Sequence, residues 1–309
     1  MNHSAGGSAP GHRVDVEIRW AANHLSAAGV ESPRVDAEWL LADALGVDRG
    51  RLLLVDAVPD DVRARFRRAV AQRAERIPLQ HITGTAAFGP AELAVGPGVF
   101  TPRPETEFLA QWAVAALSGG SVTHVVDLCS GSGALAIAVA LLVPSVRVTA
   151  VERSPQAVEW LSRNVDEAGA DVAGRVSVVR ADVTDAELMR ELIVPATVDV
   201  VVANPPYVPE GSTISPEVTH DPHDAVFGGA DGMAVIVPML PVIAEMLRPG
   251  GLVGIEHDET TSVSVLTAMA STGQFVDVRA HDDLTGRPRF ATARRADGRA
   301  CDTRGKMAG

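Results

Sequence analysis

Asp127-Leu128-Cys129-Ser130-Gly131-Ser132-Gly133 separates two apolar runs of different kinds, 124–128 before it and 134–142 after it. The first run is short and nearly continuous, as expected of a strand covered on both faces. The second is longer and rich in Ala and Leu, good helix formers. Between them, glycines let the backbone approach a ligand closely, and the start of the helix offers unpaired N–H groups. A strand, a glycine loop and a helix in that order open a doubly wound α/β domain.

The alternation continues downstream. Strands are expected at 147–151, 176–181, 198–203 and 252–256, with helices at 155–168, near 185–192 and at 232–247. Two last strands, 275–280 and 289–293, are joined by the turn-rich stretch 282–288 and should form an antiparallel hairpin at the sheet edge. The result is a mostly parallel, seven-stranded sheet covered by helices.

Upstream the pattern is helical. Val14, Ile18, Ala21, Leu25 and Ala28 recur at steps of three or four until Gly29. Ser32 and Pro33 form an N-cap and first-turn pair. Val35, Trp39, Leu40 and Ala44 then mark an apolar face that Gly46 ends. A third run carries Val62, Phe66, Ala69 and Val70 and stops before Pro78. Arg63, Arg65, Arg67, Arg68, Arg73 and Arg76 read as a solvated outer face; the other reading is a surface for an acidic protein or for RNA. Residues 78–104 hold Gly84, Gly89, Pro90, Gly96, Pro97, Gly98, Pro102 and Pro104 around short apolar pieces, a hairpin-like linker. The expected organisation is a small helical bundle at 12–77, the linker at 78–104, the α/β domain at 105–295 and a tail at 296–309, with the first eleven residues frayed.

Composition excludes several classes. Apolar residues make up 46% of the 309, enough for a real core. The net charge of −12 argues against a general phosphate-binding surface, so no nucleic-acid substrate is expected. Two cysteines far apart, Cys129 and Cys301, make neither a disulfide framework nor a zinc pattern. No apolar run has the length of a membrane span and the first residues lack an apolar signal core, so a cytoplasmic enzyme is expected. His220, His223 and Asp224 are too weakly spaced for a metal site; an ordered loop is the preferred reading and no metal is expected.

Three successive strand ends point at one crevice. Glu152 closes the second strand, where a carboxylate can accept both ribose hydroxyls of a nucleoside. Asp182 follows the third and is placed for an adenine edge, or is simply a solvated strand-end carboxylate. Gly131-x-Gly133-x-x-Ala136 also nearly satisfies the nicotinamide fingerprint, and the loop alone does not separate these ligands.

The fourth strand ends in Asn204-Pro205-Pro206-Tyr207. Two prolines fix their φ angles and give no N–H to a sheet, so the segment is a stiff corner. The Asn204 side chain and the Pro205 carbonyl can accept the two hydrogens of a planar NH₂ group, and the Tyr207 ring offers it a flat face. An amide nitrogen is a poor nucleophile because its lone pair is delocalised. Acceptors on both hydrogens raise its electron density and aim it, and fixed acceptors meet the positive charge that develops.

This tetrapeptide resembles the corner of methyltransferases acting on planar amino groups, in which a terminal antiparallel hairpin on the sheet is habitual. Pro102-Arg103-Pro104-Glu105-Thr106-Glu107 is similar to the entry to the catalytic domain of the release factor glutamine methyltransferases, the PrmC/HemK family. Pro78-Leu79-Gln80-His81-Ile82-Thr83-Gly84 resembles that family's interdomain segment. His220-Asp221-Pro222-His223 with Phe227-Gly228-Gly229-Ala230-Asp231-Gly232 resembles its stretch after the corner, and Glu256-His257 and Gly286-Arg287-Pro288-Arg289 its last strands. The likeness runs from about Val14 to Arg295.

The resemblance implies a protein-(glutamine-N5) methyltransferase that uses S-adenosylmethionine on the glutamine of the Gly-Gly-Gln motif in class-1 peptide-chain release factors, which the helical domain helps to dock. By position it places Cys129, Ser130, Gly131, Ser132 and Gly133 in the cofactor loop. Glu152, Asp182 and Val183 then lie around the nucleoside, and Asn204, Pro205, Pro206 and Tyr207 on the substrate glutamine, with Asn204 beside both ligands. Arg103 helps to order the cofactor site or is an ordinary surface arginine. Cys129 departs from the family, which usually has Gly there; a φ above zero at Cys129 would be strained. The other readings are an amino-group methyltransferase of DNA or RNA bases and a non-enzymatic binder of release factors or ribosomes.

Overall fold

The computed structural model describes residues 12–117 and 124–297. The frayed ends expected at 1–11 and 296–309, Cys301 included, lie outside these residues except for 296–297. Contacts divide the chain into two compact units. One ends at Thr85 and includes Ile214–His220; the other begins at Ala86, breaks at Thr213 and resumes at Asp221.

The first unit is helical. A two-residue strand β1 (His12–Arg13) leads into α1 (Val14–Ala27) and α2 (Pro33–Leu45). A 3₁₀ turn at Arg49–Leu54 precedes β2 (Ala57–Val58), which pairs antiparallel with β1. Then come α3 (Asp60–Ala74) and α4 (Leu79–Thr83). Leu25, Leu40, Leu41, Phe66 and Val70 are fully buried and form the core. Gly46 ends α2 in the left-handed region at φ 67, where its N–H caps the helix.

Ser32 occupies the N-cap of α2 and Pro33 its first turn, as expected, with no capping bond from the Ser32 side chain. Two expectations need correction here. Val35 and Trp39 are not core residues, being 40% and 46% exposed. The buried stripe of α2 runs through Ala37, Leu40 and Leu41, one position round the helix, and the Arg49 guanidinium lies over the Trp39 ring at 5.9 Å. Nor are the arginines simply a solvated face. Arg73 is buried and pairs with Asp36 at 2.7 Å and Glu217 at 2.9 Å. Arg76 grips both oxygens of Glu217 at 2.7 Å, and Arg63 and Arg67 flank the buried Glu17. Arg65 and Arg68 alone of the six match the solvated reading.

The second unit contains the expected sheet. A short hairpin, β3 (Thr85–Phe88) and β4 (Ala91–Ala94), is followed by α5 (Thr106–Leu117). Then come β5 (His124–Leu128), α6 (Ala134–Leu142), β6 (Arg147–Glu152), α7 (Pro155–Glu167), α8 (Ala170–Ala173), β7 (Val176–Arg180) and α9 (Ala186–Leu192). They continue with β8 (Val198–Ala203), the one-turn α10 (His223–Val226), α11 (Ile236–Met246), β9 (Leu247–Glu256), α12 (Ser262–Ser271), β10 (Phe275–Asp282) and β11 (Pro288–Arg295).

Strand order across the seven-stranded sheet is β10-β11-β9-β8-β5-β6-β7. β9, β8, β5, β6 and β7 run parallel, and the terminal hairpin is antiparallel. Alternation sorts each strand between two layers: Val200 and Val202 pack with α5, α6 and α7, Val201 and Ala203 with α9, α11 and α12. Each such fully buried valine contributes about 1.5–3 kcal/mol. The chain leaves β5 toward β6 on one side and later returns to β8 on the other, so strand order reverses there and a crevice opens beyond the carboxyl ends of those strands.

The helix expected at 232–247 begins only at Ile236. Gly232 has φ 77, and a Cβ there would run into the Tyr207 carbonyl, so this residue belongs to a loop packed on the corner. Helix α12 gave little apolar periodicity, because only Val265 and Met269 among its apolar side chains are buried.

Candidate functional site

A cavity of about 750 Å³ lies beyond the carboxyl ends of β5, β6 and β8, within the range of small-molecule sites. Of the residues singled out from sequence, Cys129, Ser130, Gly131, Ser132, Glu152, Asp182, Val183, Asn204 and Pro206 line it. Gly133, Pro205 and Tyr207 are not part of its wall. Gly133 stands behind the loop at φ 88, where a Cβ would strike Leu161 and Ile137; it lets α6 pack close. Pro205 is buried and Tyr207 half-buried.

The glycine loop is held by its own backbone and by Glu152. The Ser130 N–H donates to Val151 and its hydroxyl to the Asp127 carbonyl. Gly131 N–H donates to Glu152 Oε2 at 2.9 Å, and Ser154 N–H donates to Oε1 at 2.7 Å. One lone-pair position is thereby used on each oxygen, and each keeps room for a ligand hydroxyl. Cys129 does take the left-handed conformation, at φ 60. Burial, then the nearby Glu152 and Asp127 carboxylates, push its thiol well above the usual range, so it is a neutral packing group rather than a thiolate. It is half-buried on the cavity wall.

Asp127 is a candidate that the sequence reading passed over. It is fully buried, lines the cavity, and accepts the Ala136 N–H at Oδ2, while Oδ1 has no partner among the described residues. Burial pushes its carboxyl up to about 7. A buried carboxylate with one free oxygen is poised for a cation. The only sequence signal was its place as the last-but-one residue of a buried strand.

Burial raises Asp182, but hydrogen bonds from the Thr184 hydroxyl and N–H, with the Arg153 charge, bring it below the ordinary range. Arg153 also reaches Asp224 at 3.4 Å. His223 and Asp224 line the cavity and His220 does not. Among the described residues no group of three His, Cys, Asp or Glu is placed to hold a metal. Arg103 is no ordinary surface residue: it donates to the buried Asp221 at 2.6 Å and lies over the Phe100 ring, itself part of the wall.

The corner after β8 is braced from behind. Gly228 N–H donates to the Val208 carbonyl, and a Cβ on Gly228 would strike the Pro206 carbonyl. Asn204 donates through Nδ2 to Thr106 Oγ1 at 3.2 Å, so its Oδ1 is the part left to a ligand. The Tyr207 hydroxyl donates to Glu256 Oε1 at 3.0 Å. Burial pushes Glu256 up to about 7, against the Thr106 and Tyr207 hydroxyls, which lower it. Burial and the same carboxylate push Tyr207 well up, so its hydroxyl stays protonated.

The sheet with its terminal hairpin, the glycine loop and the proline corner together define an α/β methyltransferase. The model of the methyltransferase small domain matches residues 92–221, and that of the PrmC N-terminal domain residues 18–84. The chain belongs to the release factor glutamine methyltransferase family. It is 53% identical over 284 residues to the release factor glutamine methyltransferase of Mycolicibacterium smegmatis, covering 92% of this chain and 98% of that one. Its counterpart in Mycobacterium tuberculosis is 49% identical, covering 90% of each chain. That of Corynebacterium glutamicum is 49% identical over 90% of this chain and 97% of its own. No helix among the described residues is long and apolar enough to cross a membrane.

Proposed function

We propose that the protein transfers the methyl group of S-adenosylmethionine to the side-chain N5 of the glutamine in the Gly-Gly-Gln motif of class-1 release factors. One observation carries the reading. Asn204 is tethered by its NH₂ group to Thr106, which leaves Oδ1 as an acceptor on the wall that also holds the glycine loop, Glu152 and Asp182.

The residues present fit the cofactor. Asp127 would hold its cationic ammonium, the remaining lone pairs of Glu152 its ribose hydroxyls, and the Asp182–Val183 strand end its adenine. When bound, it supplies a methyl carbon already activated by its sulfonium. The chain's own part is then alignment. Asn204 Oδ1 accepts one hydrogen of the glutamine amide and a backbone carbonyl of the Pro205–Pro206 corner the other, while Tyr207, held by Glu256, braces the corner. Both acceptors strengthen as positive charge builds on nitrogen, which raises kcat rather than tightening ground-state binding. The nitrogen then releases its proton to water. The names of the relatives, release factor glutamine methyltransferases, support a release factor glutamine as the protein substrate.

The test is methyl transfer from labelled S-adenosylmethionine to a purified release factor, with a Gln→Ala version of its Gly-Gly-Gln motif as the control. Mass spectrometry should find one added methyl on that glutamine. Equal labelling of both factors would end the proposal.

A further inference from the structure

Thr106 and Glu256 are both 3% exposed, and together they organise both ends of the proline corner. Thr106, in the first turn of α5, accepts from Asn204 Nδ2 at 3.2 Å. Glu256, at the end of β9, accepts the Tyr207 hydroxyl at Oε1, 3.0 Å away. Its Oε2 is buried with no hydrogen-bond partner among the described residues, and Thr106 is, after burial, the first of the groups that act on this carboxyl, lowering it. An uncompensated buried carboxylate oxygen is costly, so it draws any hydroxyl hydrogen within reach.

We propose that Thr106 and Glu256 are positioning residues that decide which end of the Asn204 amide faces the cavity. This rests on the function proposed above. A threonine hydroxyl carries one hydrogen. If that hydrogen points to Glu256, the oxygen of Thr106 can only accept from Asn204, and only the NH₂ end of Asn204 can give. Oδ1 is then turned toward the ligand. If the hydrogen were turned to Asn204 instead, the amide would flip and present NH₂ to the NH₂ of a substrate glutamine. Two donors would face each other, and the acceptor that the chemistry requires would be lost. The carboxyl that orders Asn204 through Thr106 also fixes the Tyr207 hydroxyl, so one buried group sets two residues of the corner. It also gives Thr106 a task within the stretch 102–107.

The experiment compares Thr106→Val, Thr106→Ser and Glu256→Gln in the full-length protein. Valine keeps the shape of threonine without its hydroxyl; serine keeps the hydroxyl. Glutamine at 256 offers an NH₂ group to Thr106 and so favours the flipped amide. Expected for Thr106→Val and Glu256→Gln is a kcat lower by about 10- to 100-fold, with KM for S-adenosylmethionine within about twofold of wild type. Thr106→Ser should restore kcat to within about threefold. The second readout needs no substrate: the Asn204 side-chain NH₂ signal, identified by its loss in Asn204→Asp, should shift and lose exchange protection in Thr106→Val and be retained in Thr106→Ser. If Thr106→Val keeps wild-type kcat, or the Asn204 signal does not move, the proposal is overturned. Should wild type methylate no release factor, the proposed function falls, and the Asn204 signal still decides the positioning role.

Discussion

Replacing Asp127 by Asn tests the buried wall of the cavity directly. The carboxyl rises from the ordinary 3.8 to about 7 because burial disfavours its charge. In the folded state it therefore holds a proton that the unfolded chain has already lost between about pH 4 and pH 7. Stability contributed at low pH is lost as pH rises through that window and stays lost above it. A gap of about three pH units at about 1.4 kcal/mol each gives up to roughly 4 kcal/mol between pH 4 and pH 8. Asparagine keeps the shape and can still accept the Ala136 N–H, but carries no charge to bury. Urea denaturation of ligand-free protein across pH 4.5 to 8 should show wild type falling more steeply than Asp127→Asn, with the variant the more stable of the two at pH 8. Calorimetry at pH 8 should show the opposite order for the cofactor, with Asp127→Asn binding S-adenosylmethionine about tenfold or more weakly, because an ammonium loses its buried partner. Parallel pH slopes with unchanged cofactor affinity would refute the reasoning.

Three other outcomes follow from particular residues. Cys129→Gly removes a left-handed strain of about 1–2 kcal/mol at a glycine entropy cost of about 0.5–1 kcal/mol, so differential scanning should find a gain of about 1 kcal/mol or less with activity kept. Gly232→Ala forces a Cβ against the Tyr207 carbonyl and should cost about 1–3 kcal/mol in urea melts and lower kcat by displacing the corner. Glu217, brought down to about 2 by Arg76 and Arg73 against the opposing effect of burial, contributes stability that is present above its unfolded pKa of 4.5 and lost as pH falls toward 2. Glu217→Gln should remove up to about 3 kcal/mol of stability at pH 7 and flatten the acid limb of the pH–stability curve.

Most of the elements were legible because their causes are local. Gly46 stops α2 wherever that helix packs, and Pro205 and Pro206 stiffen the chain without help from neighbours. Where burial or partners decide, the sequence misled or was silent. Trp39 looked like core by spacing, yet the bundle turns α2 so that Leu40 and Leu41 face inward. Arg73 looked solvated until Asp36 and Glu217, 37 and 144 residues away, closed around it. The helix expected from Gly232 failed because a carbonyl from another stretch of chain occupies the space that a side chain would need.

By itself, the sequence determined the strands of the α/β unit and several of the helices between them, and that a glycine loop and a proline corner would each end a strand. Period-two and period-3.6 patterns, glycine and proline act over a few residues, and their consequences can be read in order along the chain. Only the tertiary structure decided that Asp127 would keep an unpaired oxygen at the cavity, that Thr106 would meet Asn204 across 98 residues, and that Glu256 would hold Tyr207 across 49. Ionisation and hydrogen-bond direction depend on what surrounds a group in space, and distance along the chain carries no information about that.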